Sequence, residues 1–424
     1  MKERFKLKKA TVVITIALSF LGIIAGNALA QATLAPNADL GKSLYFDENL
    51  SEPAGQSCAS CHHPDFGFAD PDRFLPVSEG VIRGLFGGRN SPSSAYAMYA
   101  PWFDKGEWIG GQFWDGRATG ETLGDPLADQ ALGPFLNGVE MANGSKWEVV
   151  RDAQDSEYGK LFISSCTPNK EALKEDDLNI EDAYNCIAES IAAFERTSLF
   201  GQFSSKYDYY LSKCIDRGGV LDDCAKGNGR VAERVGRKIF SWMEWKGFKL
   251  FMNDNNNNDG IKQPGEGAMC VACHTADFTD PDSTELYPNP VVVPDWSKGM
   301  VPPLFTDYTY DNLGVPKSKH RLLRNNPVDY GLGGEPMSIS GAKGLFKVMP
   351  LRGIADTRPY AHNGYFRTLW GIVHFYNTRD VKNWPAPEVA ENVNGDELGK
   401  LGLKFIDEVA LVTFMRTLSD GWNP

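Results

Sequence analysis

Two short stretches carry the residues with the most specific chemistry. Cys58-Ala59-Ser60-Cys61-His62 and Cys270-Val271-Ala272-Cys273-His274 each read C-x-x-C-H. Two thiols one helical turn apart suit addition to the two vinyl groups of a haem, and the next residue presents an imidazole to the iron. A zinc ribbon would place its second cysteine pair about 15–20 residues on. These pairs lie about 200 residues apart. A thioredoxin-like pair needs no following histidine. The expected cofactors are two covalently bound c-type haems, with His62 and His274 as iron ligands.

The elements that must position these groups read as helices and long loops. A short helix is expected over 40–46, ahead of the first motif. Residues 63–111 are rich in Gly, Pro, Ser and aromatics, the pattern of an ordered loop wrapped over a cofactor. Helical periodicity marks 145–165, 181–198, 231–252 and 396–418. Residues 214–229 read as a polar insertion between two cysteines, and 278–345 is again loop-rich. Strand alternation is scarce. The fold class is mainly α: two cytochrome-c-like haem domains with long ordered loops, 31–228 and 229–424.

Residues 1–30 combine a basic start, an apolar run and Ala28-Leu29-Ala30, the form of a cleaved secretory signal. The alternative is an uncleaved anchor, since the run is near the length of a short span. Cleavage would change the formal charge from −12 to −16, which disfavours nucleic-acid binding. Export favours disulfides among Cys166, Cys186, Cys214 and Cys224. Nearest neighbours would pair Cys166 with Cys186 and Cys214 with Cys224; sequence alone allows three connectivities.

Five further motifs accompany the haem sites: Phe113-Trp114-Asp115-Gly116-Arg117, Gln130-Ala131-Leu132-Gly133-Pro134, Val139-Glu140-Met141, Ala193-Phe194-Glu195-Arg196-Thr197 and Pro359-Tyr360-Ala361-His362-Asn363-Gly364. With them the chain resembles the bacterial di-haem cytochrome c peroxidase superfamily, which includes MauG-like enzymes. The resemblance implies peroxide chemistry at the first haem and electron transfer through the second. It places Gln130 and Glu140 on the distal face of the first haem. A carboxylate there can move a proton between the peroxide oxygens, and an amide can orient the peroxide. It places Trp114 between the haems, where an indole can carry an electron or hole. It also implies a calcium ion held by the Asn90 side chain and the backbone oxygens of Thr357 and Pro359. Gly353 stands where the family usually has Asn, a departure in that layer.

Two other departures bear on function. Typical members carry a distal histidine on the first haem, but no histidine lies between His63 and Arg89. The first haem is therefore expected to be five-coordinate or water-bound. Typical members use a methionine on the second haem; the matching position is Tyr376, and MauG-like members carry tyrosine there. A phenolate favours oxidised iron, whereas a thioether favours the ferrous state. His374 is the local rival, and Met349 a remoter one. If 368–377 is helical, His374 and Tyr376 lie about 200° apart and cannot both face the iron.

Asn255, Asn257, Asp259 and Glu266 space like an EF-hand calcium loop, with a solvated polar loop as the alternative. Trp242, Trp245 and Phe248 read as core. Taken together, the sequence predicts a periplasmic di-haem enzyme that reacts with hydrogen peroxide and oxidises a protein substrate at Trp or Tyr. Its rivals are a cytochrome c peroxidase, fed by a small cytochrome or copper protein, and a non-catalytic di-haem electron carrier. Neither nucleic acid nor, after cleavage, a membrane is expected as a partner.

Overall fold

Helix α1 (Pro36–Phe46) leads into the single-turn helix α2 (Cys58–Cys61), which bears the first motif. The computed structural model describes residues 36–252, 267–281 and 291–424, all within one compact unit. After a long loop come α3 (Pro126–Ala131), α4 (Gly133–Leu136), α5 (Lys146–Asp155), α6 (Gly159–Cys166) and α7 (Ile180–Glu195). Apolar residues of α7 at helical spacing, including Ala183, Ile187, Ile191 and Phe194, are buried. This stripe receives α1. The crossing is so close that a Cβ on Gly41 would run into the Ser190 carbonyl of α7.

The second motif is framed the same way. Helices α8 (Lys206–Asp216), α9 (Leu221–Lys226), α10 (Gly229–Ile239) and α11 (Trp242–Met252) precede Cys270. Helices α12 (Leu369–Thr378) and α13 (Phe405–Met415) follow it. α11 packs on α13, and a Cβ on Gly247 would strike the Ala410 carbonyl. A helix before each motif thus packs through a glycine against a later helix. Strand structure among the described residues is slight: β1 (Tyr310–Asp311) pairs antiparallel with β2 (Phe346–Lys347), Tyr310 opposite Lys347.

The apolar interior gathers mainly in two clusters. One takes Leu40, Tyr45, Phe162, Ile187 and Phe194, with Val301 and Leu304 returning from later in the chain. The other takes Tyr207, Phe248, Phe251, Phe305, Phe375 and Phe414. Disulfides join Cys166 to Cys186 and Cys214 to Cys224.

Several boundaries differ from the sequence reading. The helix expected over 145–165 breaks at Ser156, which turns extended and donates its hydroxyl to the Ala153 carbonyl at 2.8 Å. That over 231–252 breaks at Phe240, extended with its ring buried. The Glu244 carboxylate then caps α11 by accepting from Ser241 N–H at 2.6 Å. The 214–229 insertion carries helix α9. The last helix begins at Phe405, not 396, because left-handed Gly399 and Gly402 interrupt the approach. Trp245 and Phe248 are buried, but Trp242, at the exposed first turn of α11, is 68% exposed.

Candidate functional site

Helix α2 sets the first site. Its turn brings His62 N–H to the Cys58 carbonyl at 2.9 Å, so both thiols and the imidazole serve one cavity of about 430 Å³. Gln130, on α3, and Glu140, in the turn after α4, line the same cavity. His62 is its only histidine among the described lining residues; Met141 also borders it. His63 faces away, its Nδ1 accepting from Asp65 N–H at 3.2 Å.

The Glu140 carboxyl is raised above its ordinary range by burial, and partly drawn back by the Arg117 charge and the Asn137 amide. Asn137 Nδ2 donates to Glu140 Oε1 at 2.8 Å. Arg117 is held in turn by Asp115, at 2.9 Å. Buried Asp115 also receives Arg89 at 2.6 Å, and Arg89 reaches Asp329 at 2.7 Å. Arg117 belongs to the Phe113–Arg117 motif, but nothing in its local sequence aims it at Glu140.

The second cavity, about 190 Å³, is lined by Cys270, Cys273, His274, Met349 and Tyr376. Burial holds the Tyr376 hydroxyl far above the usual phenol range. The side chain stays neutral unless a cation beside it draws off the proton. His374, two residues earlier on α12, is occupied elsewhere. Its Nδ1 pairs with Glu408 at 2.8 Å and its Nε2 with Lys382 at 2.9 Å.

The residues of both cavities fit a covalently held haem. All four C-x-x-C cysteines are free of disulfides. Burial pushes the Cys61, Cys270 and Cys273 thiols up to about 12 and Cys58 higher still, which works against a thiolate redox pair. Nor do the described residues group three or more His, Cys, Asp or Glu for a metal ion. His274 Nδ1 lies 2.8 Å from the Phe305 carbonyl, and His62 Nδ1 lies 3.3 Å from that of Phe68. Donation through Nδ1 leaves each Nε2 for an iron. Burial keeps both imidazoles neutral, the form that ligates.

Trp114 borders both cavities. Two contacts anchor its segment: Lys347 N–H donates to the Trp114 carbonyl at 2.9 Å, and the Lys347 ammonium donates to the Gly111 carbonyl. Lys347 is buried, which pushes its ammonium down to about 7. Nothing in the sequence marked this lysine. Asn90, Thr357 and Pro359 all border the second cavity. Asn90 Nδ2 donates to the Pro76 carbonyl at 3.1 Å. Asn255, Asn257, Asp259 and Glu266 lie outside the described residues, as do residues 1–30, where the secretory signal is expected. No helix among the described residues is long and apolar enough to cross a membrane.

Comparison with known proteins places this geometry. Residues 35–215 match the family described as di-haem cytochrome c peroxidase. The chain is 31% identical over 408 residues to the methylamine utilization protein MauG of Paracoccus denitrificans, covering 90% of this chain and 88% of that one. It is 25% identical over 393 residues to the cytochrome-c peroxidase IdrP2 of Denitromonas iodatirespirans, covering 92% and 83%. Its structure resembles that of the diheme peroxidase BthA from Burkholderia thailandensis, with a TM-score of 0.63 and 27% identity over 91% of this chain and 86% of that one.

Proposed function

Because the chain belongs to the di-haem cytochrome c peroxidase family, a family of peroxidase-type oxidoreductases whose membership implies two haem c groups, we propose that it uses hydrogen peroxide to oxidise a protein substrate at Trp or Tyr. The observation that carries this reading is the position of Trp114. It borders both the Gln130–Glu140 cavity and the Tyr376 cavity, so it joins a peroxide site to a second redox site. Each of the two main cores is read as the centre of one haem domain.

When bound, the haems supply the iron that accepts peroxide and exchanges electrons. Cys58, Cys61 and His62 would hold the first, and Cys270, Cys273 and His274 the second, with Tyr376 offering the second a further oxygen donor. Among the described residues the first cavity offers no second histidine, which leaves room for peroxide. Gln130 orients the peroxide, and the Glu140 carboxylate takes a proton from one oxygen and returns it to the other. Trp114 passes electrons between the cavities, so the protein substrate need not touch the peroxide. Calcium at Asn90, Thr357 and Pro359 would stiffen the same junction. An exported, periplasmic setting fits the two disulfides.

A second reading is a cytochrome c peroxidase that takes electrons from a small cytochrome or copper protein. Met349 favours it, since its thioether also borders the second cavity. The deciding experiment adds stoichiometric peroxide to the fully oxidised holoprotein, with visible, near-infrared and EPR detection. Simultaneous loss of both ferric signals supports the protein oxidase. Reaction only after one haem is pre-reduced supports the conventional peroxidase and sinks the Tyr376 assignment.

A further inference from the structure

Besides Glu140, the first cavity is bordered by exposed Glu79 and Glu335, by Asp115, which is paired with Arg89 and Arg117, and by a buried carboxyl of another kind. Glu195, at the end of α7, lines it together with Ile191 and Cys58. Its side chain is only 4% exposed, and its Oε2 has no hydrogen-bond partner among the described residues. An isolated carboxylate so placed would be costly, whereas a carboxylic acid is tolerated. The neighbours are mixed. Asp125 adds negative charge but is paired with Arg196 at 2.7 Å. The Tyr45 hydroxyl of α1 and the Cys58 thiol of α2 both feel the Glu195 charge, and Cys58 also feels that of Glu140.

We propose that Glu195 is the proton reservoir of the first cavity, a role that rests on the peroxide reading above. Reduction of hydrogen peroxide to two waters takes up two electrons and two protons. The electrons come from the protein donor or substrate. Glu140 moves one proton between the two peroxide oxygens and ends as it began, so it supplies neither of the two consumed. Glu195 gives up its proton inside the cavity, where the second water forms, and is reprotonated from solvent. The cycle then repeats for the second proton. Burial, only partly offset by Arg196, pushes this carboxyl up to about 8, so the acid form is present at neutral pH.

The test compares wild type, E195Q and E195D holoprotein, each with both haems attached. First, stoichiometric peroxide is added to the wild type, both fully oxidised and with one haem pre-reduced. If neither spectrum changes, the peroxide reading and this inference both fall. Steady-state peroxide turnover is then followed against pH. Wild-type turnover should fall as pH rises through about 8. E195Q should lose that limb and turn over on the order of 100-fold more slowly, with E195D recovering part of the rate. An unchanged profile in E195Q overturns the inference while leaving the peroxide reading intact. Should E195Q not assemble, infrared spectra of the wild type decide: a protonated-carboxyl band must be lost in step with the turnover limb, and its absence at neutral pH overturns the proposal.

Discussion

The indole N–H of Trp114 donates to the Asn90 carbonyl at 2.9 Å, and Asn90 N–H donates to the His362 carbonyl at 2.7 Å. The residue assigned to electron transfer and a residue assigned to calcium are therefore one hydrogen bond apart. Any change at the Asn90 backbone reaches the ring that borders both cavities.

Trp114→Phe keeps an aromatic ring but removes the N–H and the more easily oxidised indole. Peroxide should still react at the first haem. Oxidation of a protein donor or substrate should slow by at least about tenfold, which corresponds to ~1.4 kcal/mol in barrier. Stopped-flow traces of the two events separate them. Equal loss in both would show that Trp114 only shapes the first cavity.

Arg117 pulls the Glu140 carboxyl down against the effect of burial. The proton-accepting form is the carboxylate, so the peroxide step should weaken as pH falls through the Glu140 ionisation. Arg117→Ala removes the opposing charge and should move that midpoint to higher pH. The side chain is 34% exposed, so screening limits the change to about 1 pH unit or less. A midpoint that stays put or moves down in the variant would remove Arg117 from the site.

Tyr376→Met replaces a hard oxygen ligand by a thioether. The second haem should rise in potential by tenths of a volt, within the ~0.8 V that axial ligands span, and redox titration would show it. His374→Ala should leave the haem spectra unchanged, because both His374 nitrogens are held by Glu408 and Lys382. A spectral change in His374→Ala with none in Tyr376→Met would reverse the assignment.

Gly41→Ala and Gly247→Ala each press a methyl group against a facing carbonyl, at Ser190 and Ala410. Each should cost about 1–3 kcal/mol of stability, as overpacking does. Thermal unfolding of the holoprotein measures the loss. If both variants unfold like the wild type, the two helix crossings have room for a methyl group and the glycines are not needed there.

The haem motifs were legible because thioether attachment demands two cysteines and a histidine in one turn, and local spacing alone encodes that. The mainly helical character was legible from periodicity. The helix breaks at Ser156 and Phe240 were not, since an apolar period runs through both positions and only packing forces Phe240 inward. Trp242 shows the same limit: it shares helical spacing with buried Trp245 and Phe248, yet opens α11 on the exposed side. Asp329 and Glu408 carry no local signature either, because each acts on a partner far away in sequence. The two haem-attachment motifs could be read because their residues are adjacent along the backbone. Which groups face which cavity depends on contacts between segments far apart in the chain. Trp114 beside both, His374 turned to Glu408, and Glu195 Oε2 buried without a hydrogen-bond partner among the described residues all depend on long-range packing, which no local pattern records.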